Sequence, residues 1–235
     1  TIASSELHPD RLLAIDGGSV PRPIQGLAAK EPAFGLAAVW IETGRRTEAE
    51  SLGYTVTDPA AVFITHLTTL LTANASQILN REDVQAMLDG LKKEAPVLVK
   101  DIETNVKLGV VQKVLAALLE EKVPLANLEK ILEAVADTPT ADPALIAENA
   151  RARLGRAITA RFLDGQGRLL AVILEPASEA RLVQGLGSAQ HGGSLGIAPT
   201  EASTLVDQLG RTVQEAAAQG HDAILLTTAP LRRHL

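Results

Sequence analysis

A possible nucleophile lies in the glycine-rich segment "GGSLG" at residues 192–196, where Ser194 is the centre of a G-x-S-x-G pattern and His191 precedes it. In enzymes with this pattern, a sharp strand-to-helix turn lifts the serine hydroxyl toward backbone N–H donors. The preceding residues, "LVQGLGSAQ", do not have the composition of a buried strand, and Pro199 follows closely. The segment therefore predicts a loop, and a serine hydrolase that uses Ser194 is the less favoured alternative.

The other residues with reactive side chains form no coherent set. "GLGSAQ" begins like a dinucleotide-binding fingerprint, but it follows a predicted helix and has Gln190 in place of the third glycine. The five histidines show neither H-x-H nor H-x-x-x-H spacing, so we expect no metal site. The absence of cysteine excludes disulfides, thiolate zinc sites and cysteine nucleophiles. We expect no catalytic residue and no cofactor, which means that the protein is not an enzyme.

Composition limits the class of partner. The net charge of −6 over 235 residues argues against a nucleic-acid surface, which needs clustered Lys and Arg. No apolar run is long enough to span a bilayer, and no signal peptide is visible. Because the chain begins at Thr1 and its last residues, "APLRRHL", resemble the start of a helix, we interpret it as a fragment. Four of the five aromatic residues lie close together in sequence, and we assign two of them, Trp40 and Tyr54, to the core.

Residues 1–78 combine short apolar runs with Gly and Pro, which is typical of a small α+β unit. The runs "RLLAI", "LAAVWI" and "YTV" predict strands. Asp58 and Pro59 predict a helix start, because Asp58 can cap free N–H groups and a proline at the first position loses no hydrogen bond. This helix is expected to run to about Leu79.

Residues 79–163 predict a helical domain. Apolar residues recur with helical spacing in "REDVQAMLDGLKKE", "GVVQKVLAALLEEK" and "LANLEKILEAVAD". Asp142 and Pro143 begin a further helix, "ALIAENARARLGRAITARF". The connections are short, so these helices must bury their apolar stripes against one another.

Residues 164–235 predict a small α/β domain. The apolar runs "RLLAVIL" and "AILLTT" indicate buried strands with parallel character, and two helices lie between them. The predicted fold class is therefore α+β with several subdomains: a small α+β N-terminal part, a central helical domain and a C-terminal α/β domain.

The stretch "EPAFGLAAVWI", followed by "AESLGYTVTDPAAVFITHL", resembles the FlhA family of flagellar type III export gates. The family pattern reads approximately D-P-x-F-G-L-P-A-x-W-I, A-E-x-x-G-Y-T-V-V-D-P and T-H-L. The resemblance continues through "REDVQAMLDGLKKEAPVLVKD" to "GHDAILLTTAPLRRHL" and covers essentially the whole chain, with weaker matching over residues 165–220. Virulence-type (injectisome) export gates are the alternative, but "NREDVQ" and "GYTVTDP" favour the flagellar branch.

The resemblance implies a four-subdomain region on the cytoplasmic side of the bacterial inner membrane, below a transmembrane half that this chain lacks. Residues 10–58 would form subdomain two and residues 59–78 the returning part of subdomain one, whose first part is absent. Residues 79–163 would form subdomain three, and the remainder subdomain four without its C-terminal end. The implied partners are flagellar export chaperones with filament-type cargo, the soluble ATPase complex, the switch protein FlhB, and further copies of the chain in a nine-membered ring.

The resemblance also implies a shallow dimple that binds chaperone–cargo complexes. Its acidic and phenylalanine positions correspond to Glu31 and Phe34, and its threonine corresponds to Thr65. Glu31 stands where the family usually has Asp, so its carboxylate lies one methylene further out. Val62, one helical turn before Thr65, is expected on the same face. An exposed ring in an apolar patch, rimmed by an acid and a hydroxyl, is typical of a protein-docking anchor.

Overall fold

The computed structural model describes residues 7–18, 20–188, 197–220 and 223–235. Ser194 and His191 of the possible hydrolase motif lie outside the described residues. The chain forms two compact units, Thr1–Ala126 and Asn127–Leu235. The division falls inside the helical domain predicted over 79–163, and the four-subdomain boundaries stay a prediction.

The first unit contains a four-stranded antiparallel sheet with the strand order β2-β3-β1-β4. The strands are β1 (Arg11–Ile15), β2 (Leu27–Lys30), β3 (Ala37–Glu42) and β4 (Thr55–Thr57). Three of them confirm the strands predicted from the apolar runs. The edge strand β2 has no counterpart among those predictions, because its sequence "LAAK" contains only one large apolar side chain.

Alternation along the strands divides the core of this sheet between its two faces. Leu12, Ala14 and Ile41 pack with Tyr54 and with α1 (Arg46–Ser51), which follows a 3₁₀ turn. On the opposite face, Leu13, Ala38 and Trp40 pack with a valine of the next helix. Trp40 and Tyr54 are both buried, as the sequence predicts.

Helix α2 (Pro59–Ala73) begins where the sequence predicts, and the Asp58 carboxylate accepts the N–H of Ala61 at 2.8 Å. It ends earlier than predicted, since Asn74 leaves the helical conformation and donates its side-chain amide to the carbonyl oxygen of Leu70 at 2.8 Å. A separate short helix, α3 (Ala75–Ile78), follows. The predicted single helix is therefore two.

Three further helices complete the first unit: α4 (Arg81–Leu91), α5 (Pro96–Asn105) and α6 (Leu108–Glu120). Asn80 and Asp83 form a capping box at the start of α4, with each side chain accepting the other residue's backbone N–H at 3.0 Å. The apolar stripes of α4 and α6 are buried as predicted, at Val84, Leu88, Val111, Val114, Leu115 and Leu118.

The second unit begins with α7 (Leu128–Asp137), which packs on α8 (Pro143–Arg153). Ile131, Leu132 and Val135 of α7 and Ile146 of α8 are buried. The predicted long helix after Pro143 is interrupted, because Leu154 lies outside the helical conformation. The short helix α9 (Gly155–Thr159) follows it.

The remainder of this unit is the α/β part that the sequence predicts, but its two strands are not buried as predicted, since Ile173 and Leu226 are exposed. Strands β5 (Ala171–Ile173) and β6 (Ile224–Leu226) pair in parallel and are separated in sequence by α10 (Pro176–Ser188) and α11 (Pro199–Ala218). The last helix, α12 (Ala229–Arg232), is tied to α8 by an ion pair between Arg232 and Glu148. Among the described residues, none of the helices combines the length and the hydropathy needed to cross a bilayer.

Candidate protein-docking site

The turn between β2 and β3 is organised by Glu31. The backbone N–H of Glu31 donates to the carbonyl oxygen of Leu36 at 2.8 Å, and its own carbonyl oxygen accepts the N–H of Gly35 at 2.9 Å. Its carboxylate folds back over the turn: Oε1 accepts the N–H of Ala33 at 2.9 Å, and Oε2 accepts the N–H of Phe34 at 2.7 Å. Four hydrogen bonds therefore fix a segment of six residues.

Gly35 supplies the conformation that closes this turn. Its φ angle is +72°, in the left-handed region that residues with a Cβ rarely adopt. A Cβ at this position would meet no atom within 4 Å, so only the backbone conformation requires glycine here.

The ring of Phe34 points away from the turn, with 69% of the residue exposed, whereas Glu31 is 4% exposed. Leu36 adds a second exposed apolar side chain beside it. Phe34 is therefore an outward-facing aromatic side chain on a fixed backbone. The sequence predicts that the carboxylate of Glu31 lies on the rim of a docking surface. In the structure this carboxylate lies inside the turn that carries the ring.

The two predicted positions on α2 differ in their exposure. Thr65 is exposed, and its carbonyl oxygen accepts the hydroxyl of Thr69 at 2.9 Å. Val62 is buried and packs on the sheet against Leu13 and Trp40. Val62 is therefore almost completely covered, and its place in a docking site together with Thr65 stays a prediction.

An apolar hollow of about 380 Å³ lies between the edge strand β2 and α2. Its walls include Leu27, Pro32, Trp40, Val62, Phe63 and His66. The structure thus brings Val62 together with Pro32 in one concave surface, while Glu31, Phe34 and Thr65 do not line it. The ring of His8 also lines the hollow and meets Trp40 edge-on, with 5.4 Å between ring centroids.

Phe63 and Ile64 were not predicted as exposed residues, yet 51% and 61% of them, respectively, are accessible. The sequence contains a signal for this exposure. Val62, Phe63 and Ile64 are consecutive, so they must point in different directions around α2, and a small unit cannot bury all three. Helix α2 therefore presents apolar surface on more than one side.

Among the described residues, the ionisable groups that line the hollow are Lys30, His8 and His66, and none of the Asp or Glu side chains that the structure describes is among them. Among the described residues, no group of three or more His, Asp or Glu side chains is arranged to hold a metal ion. The geometry of the turn and the hollow suits contact with another macromolecule, because it offers an exposed ring and a concave apolar surface.

Comparison with known proteins decides the family. A model described as the FHIPEP family matches residues 1–235, the whole chain. The chain belongs to the FHIPEP family. The resemblance to flagellar export gates that the motifs indicate is confirmed at this level.

Curated relatives of this FHIPEP-family chain carry the name flagellar biosynthesis protein FlhA. The protein from Bacillus subtilis is 35% identical over 237 residues, covering 100% of this chain and 35% of that protein. Those from Treponema pallidum and Escherichia coli are 36% and 35% identical, each covering 98% of this chain and 33% of the relative. The chain thus spans about a third of the length of the curated relatives it matches.

Solved structures share the fold of the FHIPEP-family chain. Nonameric SctV-C of EPEC has a TM-score of 0.70 at 21% identity and covers 99% of this chain and 71% of that one. CdsV from Chlamydia pneumoniae, in a complex with CdsO, has a TM-score of 0.74 at 21% identity, with coverages of 97% and 67%. The mixed helical and sheet architecture predicted from the sequence is confirmed.

Proposed function

We propose that this FHIPEP-family chain is the cytoplasmic docking part of a flagellar type III export gate and receives export chaperones that carry filament-type cargo. The observation that carries the proposal is Phe34, an outward-facing and mostly exposed ring on a turn fixed by four hydrogen bonds. Aromatic side chains of this kind dominate the energetics of protein–protein contacts.

The exposure of Phe34 is informative because the chain contains only five aromatic residues. Covering a phenylalanine ring contributes about 1.5–3 kcal/mol, and this contribution is absent while the ring faces water. Since the backbone beneath it is already fixed, a partner that covers the ring loses little free energy in ordering the turn. Helix α2 offers further surface to a partner, since Thr65 is exposed and an apolar hollow lies between β2 and α2.

The flagellar branch is supported by the sequence relatives. Proteins named flagellar biosynthesis protein FlhA are 32–37% identical to the chain over nearly its whole length. The solved injectisome structures are similar in fold but only 19–22% identical. An injectisome gate is the second candidate, and a panel of flagellar and effector chaperones would separate the two.

We further propose that the chain assembles with copies of itself and with other parts of the export apparatus on the cytoplasmic side of the inner membrane. The cytosolic domains of EPEC SctV and of EscV are nonamers, and Chlamydia pneumoniae CdsV forms a complex with CdsO. A nine-membered ring, and contacts with the soluble ATPase complex and with FlhB, are the corresponding expectations here. We assign no catalytic activity to the chain, because the family is a secretion export gate and not a known class of enzyme.

A binding titration tests the docking role. Isothermal titration with a purified flagellar chaperone–cargo complex should show that Phe34→Ala raises Kd by roughly thirtyfold or more, which corresponds to a hot-spot loss of about 2 kcal/mol. Phe162→Ala is the matched control, because Phe162 is also an exposed phenylalanine but lies in the other unit. Unchanged affinity in a folded Phe34→Ala variant would remove Phe34 from the site.

A further inference from the structure

Glu31 is unusual in its burial. Of the residues that the structure describes, it is the only buried polar or charged one, with 4% of its surface accessible. Buried carboxylates need hydrogen-bond donors, and here the donors are the backbone N–H groups of Ala33 and Phe34. Both oxygens of the carboxylate therefore accept hydrogen bonds from within the turn.

From this arrangement we infer that Glu31 is a positioning residue, which holds the Phe34 ring outward and does not itself contact the partner. The inference rests on the proposed docking role of Phe34. A partner that covers the ring meets almost no surface of the Glu31 carboxylate, because the side chain lies beneath the backbone that carries the ring.

The turn depends on the Glu31 carboxylate because two backbone N–H groups of the turn donate hydrogen bonds to it. Hydrogen bonds to a charged acceptor are stronger than those between neutral groups. Without the carboxylate, the N–H groups of Ala33 and Phe34 lose their acceptors, and the turn is left with the two backbone bonds between Glu31 and residues 35 and 36. The ring would then sample several orientations, and binding would have to order it.

The same geometry makes a graded series of variants informative. Glu31→Ala removes both acceptor oxygens. Glu31→Gln keeps the length of the side chain and one acceptor oxygen, but its amide nitrogen cannot accept a backbone N–H. If Glu31 positions the ring, the affinity of Glu31→Gln for the partner should lie between the affinities of the wild-type protein and of Glu31→Ala.

A double-mutant cycle tests the inference on the whole chain with a purified flagellar chaperone–cargo complex. Glu31→Ala alone should weaken binding by roughly threefold to tenfold, the range that corresponds to ordering a side chain and its loop on binding. In the Phe34→Ala background, Glu31→Ala should produce no further change, because the positioned ring is already gone. An equal loss in both backgrounds would mean a direct contact from Glu31 and would overturn the inference.

Amide hydrogen exchange in the free protein supplies a readout that does not depend on the partner. The N–H groups of Ala33 and Phe34 should exchange slowly in the wild-type protein, and at least one of them should exchange much faster in Glu31→Gln, which has one acceptor oxygen for two donors, while the amides of β3 keep their protection. If Phe34→Ala leaves binding unchanged, the docking proposal fails, but this exchange experiment still decides the role of Glu31. Unchanged protection at Ala33 and Phe34 in Glu31→Gln would refute positioning, and should Glu31→Ala not fold, the cycle is run with Glu31→Gln.

Discussion

Gly35 provides a direct test of how the Phe34 turn is built. Replacement by alanine forces a residue with a Cβ into a backbone with φ at +72°. The left-handed conformation costs an L-residue about 1–2 kcal/mol, and no steric term is added because the new Cβ meets no atom within 4 Å. Gly35→Ala should therefore lower the free energy of unfolding by about 1–2 kcal/mol, and Gly35→Asn by less, since asparagine tolerates this region better.

Gly26, on the other side of β2, offers a contrast with a different physical cause. A Cβ there would lie 2.4 Å from the carbonyl oxygen of Trp40 and 2.6 Å from Cγ1 of Val39. The neighbouring backbone would have to shift and disturb the pairing of β2 with β3, so Gly26→Ala should cost about 3 kcal/mol or more. Asparagine should not help at Gly26, whereas it should at Gly35.

Both glycine variants can be followed by the fluorescence of Trp40. It is the only tryptophan in the chain, and it lies opposite Leu27 of β2 in the sheet. Urea unfolding monitored at this residue therefore reports on the first unit. An alanine variant of Gly35 as stable as the wild-type protein, or an equal loss for alanine and asparagine, would refute the conformational argument.

Two further outcomes concern the supporting structure. Val62→Ala should lower the unfolding free energy of the first unit by about 1–3 kcal/mol, because Val62 is buried. Thr65→Ala should change it by less than about 0.5 kcal/mol, because Thr65 is exposed. Equal effects of the two variants in urea unfolding would contradict this assignment. In the second unit, hydrogen bonds from the N–H of Thr228 and the hydroxyl of Thr227 lower the pKa of Glu179. Because the pKa of Glu179 is lower in the folded state than in the unfolded state, the ionised carboxylate stabilises the fold at pH values above the unfolded-state pKa. This stabilisation is lost as the pH falls through the folded-state pKa. Circular dichroism should therefore show a slightly steeper loss of stability in acid for the wild-type protein than for Glu179→Gln, and parallel pH profiles would contradict the assignment.

Local signals in the sequence predicted much of the secondary structure. Asp58 with Pro59, and Asp142 with Pro143, are start signals whose hydrogen bonds depend only on neighbouring residues, and both helices begin there. The apolar runs predicted β1, β3 and β4 as well as the parallel pair in the second unit, although the residues of β5 and β6 are half-buried or exposed rather than buried.

Features that depend on the path of the chain could not be predicted in the same way. Strand β2 forms because β3 lies beside it, and its Ala-rich sequence alone gives no strand signal. The burial of Glu31 depends on a turn that directs two N–H groups back toward its own side chain. A charged residue next to an exposed phenylalanine is ordinarily interpreted as a rim residue, so only the backbone geometry reveals its internal position.

Site-specific photo-crosslinking tests the docking claim most directly. A photoreactive benzoylphenylalanine in place of Phe34 should form a crosslink to the chaperone in a purified flagellar chaperone–cargo complex. The same residue in place of Phe162 should form none. A complex that assembles with the wild-type affinity, yet gives no crosslink from position 34, would contradict the proposal that Phe34 is covered by the partner.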